Sequence, residues 1–581
     1  MTQKLKEQPA VTEHAPEKAT SFATPLFLGE IHEELVLPFP RPQPAEREKI
    51  NRLIQDTWDF TNAHYNPRQA EAEGWIGDDI IAGLGERGLL GLYVDPQYGG
   101  QGLSQTGYCL VFEELGCIDA ALSVVLGVHQ SIGMKGIHLF GSAEQKERFL
   151  PDLAAGRKLA AFALTEPRAG SDAYHIQSRA LPQPDGSYRL FGEKRYIGNG
   201  SKDVLTVFAR TDEGKHVALI VEKGMAGLEV GCSYSTMGLK ANDLRHLTFN
   251  DVRVPAENRL GAEGDGFQIA VEVLNNGRLS LGAGSVGAVR SLLGLAIDHT
   301  LNREQFGRPL AEFGLVEDKI GWASAHLFGL QSMAYLTTGL VDAGMPNYAL
   351  ESAIVKVSGT EFLWYAANRV FQLAGGSAYI TDQPYEKILR DIRIFPIFEG
   401  ANDVLRIFIA LSGLKPLASE LSDLQDIGLS QPIHSLGVLA DYVENRIRRE
   451  IRPDHLGQVH PDLQKLADPL TDQVKRLRHV SEGLLRRHGK GIRDEQRQLK
   501  RLAHAVMDIY AQVATISRVS DVLERNLIAA PGEERYIAET FCARAARRVA
   551  CWLDQIEDND DERMHHIAQA AYIRRGYQHS I

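Results

Sequence analysis

The sequence predicts an α+β protein in which one β-rich block is set between helical blocks. Three observations carry that prediction. Apolar residues recur at helical spacing over residues 46–164, broken only by Gly-rich turns. The texture then changes: residues 188–197, 204–209, 216–221 and 244–254 are β-rich runs separated by Gly, Asp and Lys turns. From residue 266 to about 411 the helical pattern returns, and it resumes past residue 430 to the end. Helices, then strands, then helices is not the alternation that builds a doubly wound parallel sheet, so a small antiparallel sheet or barrel is expected.

At 581 residues the chain is too long for one core. With 44% hydrophobic and 24% charged residues it has the composition of an ordinary globular protein. A net charge of -12 argues against a general nucleic-acid binder, which needs clustered Lys and Arg. The five cysteines (Cys109, Cys117, Cys232, Cys542, Cys551) are scattered and form no C-x-x-C pair, so neither a disulfide framework nor a thiolate metal site is expected. Their sparseness fits a reducing compartment. The first twenty residues match neither a secretory signal nor an Arg-rich transit peptide. No uninterrupted apolar run reaches the roughly 18 residues of a membrane span. A cytoplasmic location follows, with room for peripheral contact at the inner face of a membrane.

In order, residues 1–45 read as a disordered tail followed by an extended arm over 22–40, rich in Phe and Leu. Residues 46–161 read as a helical domain. Within it, Gly83-Leu84-Gly85-Glu86-Arg87-Gly88 satisfies a dinucleotide-binding pattern, but helix rather than strand precedes it, so a helix-ending turn is the better account. Residues 162–265 form the β domain. Residues 266–415 form a second helical domain, with helical segments such as 267–274 and 286–301, and a loop is expected around 419–431. In the further helical domain, 430–581, Leu499, Leu502, Val506, Ile509, Val513, Ile516 and Val519 recur at three and four residues and predict one buried stripe. That helix and the one near 470–485, parted by a turn at Gly489-Lys490-Gly491, carry ten basic residues between Lys475 and Arg501. They read either as a solvated face or as a surface drawn to anionic lipid. His565-His566 lack metal-ligand spacing, so no metal is expected.

Three stretches carry chemistry. Residues 390–406 set Glu399 among large apolar side chains, with Gly400 behind it. Burial disfavours a charged carboxylate and raises its basicity, as a general base needs. Phe162-Ala163-Leu164-Thr165-Glu166-Pro167-Arg168-Ala169-Gly170-Ser171-Asp172 offers hydroxyls and exposed backbone amides, and Glu193-Lys194-Arg195-Tyr196-Ile197-Gly198-Asn199-Gly200 places an aromatic residue and a Gly-rich turn at a strand end.

Together with Met237-Gly238-Leu239-Lys240, Asp251-Val252-Arg253-Val254-Pro255, Asn302-Arg303-Glu304-Gln305-Phe306-Gly307 and Gln372-Leu373-Ala374-Gly375-Gly376, these stretches resemble the acyl-CoA dehydrogenase family, in order and in spacing. His129-Gln130-Ser131-Ile132-Gly133, the arm and the extra C-terminal helices are similar to the very-long-chain branch. The resemblance implies an N-terminal helical domain, a middle antiparallel β domain, a C-terminal four-helix bundle and an additional helical domain. It implies FAD as cofactor and the conversion of long-chain acyl-CoA to trans-2-enoyl-CoA in fatty-acid β-oxidation. Electrons would pass to an electron-transfer flavoprotein, and a homodimer is expected. An oxidase using oxygen, or a scaffold on the same fold, are the alternatives it leaves open.

By the same resemblance Glu399 is the base that takes the α-proton. Phe162, Leu164, Thr165, Gly170, Ser171, Tyr196, Ile197 and Gly198 match flavin contacts. Arg303, Gln305, Phe306, Gln372, Leu373, Gly375 and Gly376 match segments that hold FAD across a subunit interface, and Ala401 and Asp403 are counted with the cofactor contacts. Ser171, Asn275, Asn276, Gly277, Arg278 and Gly400 match the acyl-CoA contacts. Gly127 and Gly133 read either as room for a long acyl chain or as helix packing. Gly198, Leu244 and Ala401 depart from the family's hydroxyl residues, which predicts retuned flavin binding.

Overall fold

The computed structural model describes residues 21–425, 454–525 and 532–577. Its helices α1 (Ala23–Leu26), α2 (Pro44–His64), α3 (Pro67–Glu73), α4 (Asp78–Glu86), α5 (Gln105–Ile118), α6 (Ala120–Gly127), α7 (Lys135–Phe140) and α8 (Ala143–Ala154) build the N-terminal part. Their starts follow ordinary capping chemistry. Pro44 and Pro67 open α2 and α3, where a missing N–H costs nothing. Ser142 and Gln145 form a reciprocal capping box on α8. The G-x-G-x-x-G string lies in α4 and the turn that ends it, so it binds no dinucleotide in the manner of that motif. Between α6 and α7, residues Val128–Gly133 form a π-helical turn. Buried His129 locks it, accepting from the Ala160 amide through Nδ1 at 3.0 Å and reaching the Leu153 carbonyl through Nε2 at 3.0 Å. Burial pushes this imidazole down to about 4, so it holds those contacts as the neutral form.

The sheet comprises β1 (Ala160–Ala163), β2 (Arg179–Pro182), β3 (Tyr188–Gly198), β4 (Val204–Arg210), β5 (His216–Glu222), β6 (Leu228–Val230), β7 (Leu244–Val254) and β8 (Arg259–Leu260). Its order is β6-β7-β3-β2-β4-β5-β8, with β1 beside β4. Two corrections apply to the sequence reading. The sheet begins at Ala160 rather than residue 162, and it is not wholly antiparallel, because β1 and β2 both pair β4 in parallel. The reason is the long crossover: some forty residues, including the β2–β3 hairpin, separate β1 from β4, and parallel pairing needs such a connection.

Helices α9 (Gly266–Asn302), α10 (Gly314–Asp342), α11 (Ala349–Ala374), α12 (Tyr385–Ile392) and α13 (Asn402–Gln425) follow, with a two-stranded ribbon, β9 (Glu304–Gln305) and β10 (Arg308–Pro309), after α9. The four long helices form the bundle. α9 is one helix of 37 residues, not two segments. Its glycines let neighbouring helices approach: Val355 of α11 occupies the space beside Gly282, and the Glu113 carbonyl of α5 that beside Gly287. The loop expected at 419–431 is also corrected, since α13 continues to Gln425 with Leu414 and Leu417 buried beneath it. The remainder of that expected loop lies outside the described residues.

Helices α14 (Gln464–His488), α15 (Gln496–Glu524), α16 (Gly532–Asp554) and α17 (Asp561–Arg574) make the last part. The seven stripe residues of α15 are all fully buried, and they belong to the same apolar cluster as the bundle. Part of the basic run is tied into ion pairs, while Arg486, Arg487, Lys490, Arg493, Arg497 and Lys500 are exposed. Arg476 pairs with Asp554, Arg487 with Glu557 at 2.7 Å and Arg501 with Asp561 through two bonds of 2.7 Å, while Arg478 is buried beside Glu482. Acidic groups of α16 and α17 lie across it, which composition cannot reveal. His565 and His566 are exposed, as expected.

The N-terminal arm is not extended. Its α1 and a 3-10 turn, Glu33–Leu35, bury Phe22, Leu26, Phe27 and Val36, and they pack on the C-terminal half of the chain. Glu351 of α11 accepts from Ser21 Oγ (2.6 Å) and from the Phe22 and Ala23 amides (both 2.9 Å). Glu33 accepts from the Gly457 and Gln458 amides, and Arg41 pairs with Asp521 of α15 at 2.5 Å. The arm therefore straps the bundle to the additional helices.

Candidate active site

Glu399 sits in the turn between α12 and α13, and that turn is bent the unfavourable way. Its φ is +56°, with Gly400 following at +97°. A left-handed non-glycine residue costs of order 1 kcal/mol and calls for support from its surroundings. Phe395 and Phe398 stack within the turn at 5.3 Å. The carboxylate points at α9, where Gly277 makes room: a Cβ there would stand 2.8 Å from Glu399 Oε2 and 2.8 Å from Ile132 of the π-helical turn. Glu399 Oε2 is buried and has no hydrogen-bond partner among the described residues. Burial pushes the group up to about 7, against the pull of Arg278 and Lys356. It is a basic carboxylate whose Oε2 is buried although the residue as a whole is half-buried.

Arg278 does not bind that carboxylate. Its Nε donates to the Glu399 main-chain carbonyl at 3.2 Å, and Nη1 donates to Asn275 Oδ1 at 2.9 Å. The carboxylate oxygen is left free while the backbone is held. Of the other residues matched to acyl-CoA contacts, Asn276 is turned away, its amide donating to Tyr348 Oη (2.8 Å) and to the Glu272 carbonyl (3.0 Å).

The end of β1 supplies a second wall. Phe162 packs on Phe208 at 4.8 Å, and Phe162 and Leu164 are nearly buried. Beyond them Glu166 and Ala169 exchange backbone bonds of 3.0 and 3.2 Å, which leaves Gly170 and Ser171 exposed at the tip. A fully buried ion pair anchors this loop. Lys194 of β3 reaches Glu166 at 2.7 Å and the Leu164 carbonyl at 3.0 Å, while Glu166 also accepts from the Ser178 amide at 3.0 Å. The Arg195 amide donates to the Thr165 carbonyl at 2.8 Å, joining loop to strand.

Strand β3 is irregular between Lys194 and Ile197, and Tyr196 takes φ +62° there. The bulge throws its ring outward, 57% exposed and 5.2 Å from Tyr234. The Ile197 side chain is buried in the inner core of the sheet, which leaves its backbone to face a ligand. Gly198 has a structural partner, since a Cβ there would lie 3.2 Å from Val128 Cγ2. Val128 occupies the flank where a hydroxyl residue was expected. Neither Gly127 nor Gly133 opens a channel. A Cβ on Gly127 would press on Phe112 at 3.0 Å, and one on Gly133 would stand 2.7–2.8 Å from the Val128 and Ala160 backbones. These contacts favour the packing reading for both.

Arg303, Gln305, Phe306, Gln372, Gly375 and Gly376 are exposed, and among the described residues none makes a hydrogen bond to the Glu399 turn. Phe306 is 93% exposed. Asp403 is also exposed and pairs with Arg406 at 2.9 Å, whereas Gly400 and Ala401 are half-buried beside the base.

Sequence reasoning missed the supports. Lys356 of α11, Lys194 with Glu166, and a buried cluster before the base were not singled out. In that cluster Lys387 bridges Asp119 and Asp391 (both 2.6 Å), and Asp391 accepts from the Leu239 amide at 2.6 Å. The available signal was a lone lysine inside the apolar run Ala353-Ile354-Val355-Lys356-Val357.

Family models match four consecutive parts of the chain. They are described as the acyl-CoA dehydrogenase N-terminal domain (residues 47–157), middle domain (161–252) and C-terminal domain (264–414), and the ACAD9/ACADV C-terminal domain (461–577). The chain is 36% identical to the mitochondrial very long-chain specific acyl-CoA dehydrogenase of Rattus norvegicus, over 97% of this chain and 89% of that one. Among solved structures, an acyl-CoA dehydrogenase complexed with FAD from Bacillus anthracis matches with a TM-score of 0.79 and 28% identity, covering 96% of this chain and 95% of the other. Butyryl-CoA dehydrogenase from Megasphaera elsdenii matches with a TM-score of 0.61 and 32% identity, over 64% of this chain and 98% of its own.

Proposed function

The chain belongs to the acyl-CoA dehydrogenase family, as an FAD-dependent oxidoreductase of the very-long-chain type, and from that premise we propose that Glu399 is the base for α,β-dehydrogenation of long-chain acyl-CoA. The observation that carries this reading is the buried, unpartnered Glu399 Oε2. That oxygen is held back from every donor among the described residues and left for a proton that arrives with substrate.

The chain's residues fit the flavin. The loop tip at Gly170 and Ser171 is bare, and the Tyr196 ring is exposed on a bulge. Arg195 Nε is a buried donor with no partner among the described residues. Thr165, Gly170, Ser171 and the Tyr196–Gly198 backbone would hold the ring edge. The bound flavin supplies the acceptor for the β-hydride.

The protein's own part is proton abstraction and orientation. Glu399, raised to about 7, takes the proton from the carbon beside the thioester carbonyl. The thioester loses that proton and a β-hydride and leaves as the trans-2-enoyl-CoA. Arg278 fixes the Glu399 backbone, and with it the aim of the carboxylate. Electron-transfer flavoprotein is the acceptor this reading names. Phe306 (93% exposed), Tyr379 (79%) and Leu315 (76%) are the surface on which a second copy of the chain would sit.

A panel of acyl-CoA thioesters from short to very long chains, each added anaerobically to the yellow holoprotein, tests the reading. Bleaching of the flavin band by the long-chain members is expected. A holoprotein that no acyl-CoA bleaches would refute it.

A further inference from the structure

One buried charge beside the base has no part in the reaction described above. Lys356 lies in the middle of α11 and is fully buried. Its ammonium donates to the Gly400 carbonyl at 2.8 Å and to Asn402 Oδ1 at 2.7 Å. Those acceptors belong to the first and third residues after Glu399. The orientation of Asn402 is itself fixed, because its Nδ2 donates to Thr360 Oγ1 at 3.0 Å and to Glu361 at 3.4 Å. Its carbonyl oxygen must therefore face the lysine.

Packing alone does not account for a lysine here. The flanking Ile354, Val355 and Val357 are buried apolar residues, and a methionine would continue that surface without taking a charge out of water. The lysine instead meets a turn that departs from favourable backbone geometry, with Glu399 at φ +56° and Gly400 at +97°.

We propose that Lys356 is a positioning residue for the base: it holds the Glu399–Gly400–Asn402 turn in its left-handed form and sets a cation beside the carboxylate. This rests on the reading of Glu399 as the base. Two consequences follow. The turn is held from both sides, by Lys356 on the Gly400 carbonyl and by Arg278 on the Glu399 carbonyl. The cation also favours the ionised form of Glu399, so that burial does not make it a permanent acid. The charged groups facing this site are Arg278 from α9, Arg406 from α13, and Glu361 from α11, the last paired with Arg406. Burial pushes Lys356 itself down to about 7, against the pull of Glu399, and Arg278 and Arg406 push it the same way.

The test uses the full-length holoprotein as wild type, Lys356→Met, Lys356→Gln and Glu399→Gln. Infrared difference titration without substrate follows a protonated-carboxyl band, assigned to Glu399 by its absence in Glu399→Gln. Single-turnover flavin bleaching by palmitoyl-CoA follows the rate over the same pH range. In Lys356→Met the carboxyl midpoint and the acid limb of the rate are both expected to move up by at least one pH unit. At the foot of the limb the rate then falls at least tenfold. Lys356→Gln, which keeps an amide donor without the charge, should show the same pH displacement with a smaller loss at the high-pH plateau. If Lys356→Met does not fold, the Gln variant carries the decision. A lower melting temperature with midpoint and limb unmoved would overturn this proposal alone. Wild-type bleaching by Glu399→Gln would overturn the reading of the base and this inference with it.

Discussion

Replacing Glu399 by glutamine should cost catalysis and return stability, with a pH signature that separates the two. The substitution is isosteric and leaves the left-handed turn and the Arg278 contact in place. From the ordinary 4.5 of a glutamate to about 7 is about 2.5 pH units, or about 3 kcal/mol at roughly 1.36 kcal/mol per unit. The sign follows from linkage. The folded state holds this proton more tightly than the unfolded chain, so the buried group costs nothing below the unfolded value. The cost grows as pH rises from about 4.5 and is complete above about 7. Of that total, about 2 kcal/mol develops between pH 5.5 and pH 8. For a chain of this size melting as a unit, that is roughly 2 °C, using about 2 cal/mol/K per residue for the unfolding entropy. Scanning calorimetry of wild type and Glu399→Gln at matched flavin occupancy should show the variant gaining on wild type as pH rises across that window. Over the same range its flavin bleaching by palmitoyl-CoA should fall by about 10²–10⁴-fold, the worth of a general base. Melting curves that run parallel in pH would refute the claim that burial tunes this carboxylate.

Three further predictions follow from the site's supports. Gly277→Ala places a methyl 2.8 Å from Glu399 Oε2, so the bleaching rate should drop by about 10²-fold, the cost of a misaimed group, while the flavin spectrum is unchanged. Lys194→Met leaves Glu166 buried without its cation and should lower stability by about 3–5 kcal/mol, with flavin lost on gel filtration. Gly133→Ala drives a methyl into the Ala160 backbone at 2.8 Å and should destabilise the protein alike for all substrates. A selective loss of the longest acyl chains in that variant would instead restore the reading of Gly133 as pocket space.

What could be read from the sequence was local. The four main strands lie within a residue of their runs because alternation and turn residues are short-range signals, and the α15 stripe is visible because burial repeats with the helix. Glu399 was legible through its apolar neighbours and its glycine. Features that depend on distant partners were not. The arm reads as extended because its apolar residues lack a period, yet it is shaped by Glu351, some 330 positions away. The ion pairs of the basic run were not legible because their acidic partners sit on two later helices. The full length of α9 was not legible because a glycine that permits close approach and one that ends a helix look alike without the neighbouring helix.

The same distinction explains how an unfavourable turn persists at the base. A strained, desolvated carboxylate would relax if it sat on an independent loop. Here the helix leading into the turn, α12, is fixed by three parts of the chain at once. Lys387 binds Asp119 at the α5–α6 junction, and Asp119 also accepts from Tyr65 Oη at 2.7 Å. Asp391, bonded to the same lysine, accepts the Leu239 amide of the β domain. The turn is then gripped by Arg278 of α9 and Lys356 of α11. Relaxing Glu399 would mean breaking buried charge-assisted bonds to several elements, each of which leaves a charge unpaired. The proposed base is read from a short stretch of sequence, but its basicity and aim are properties of the whole assembly around it.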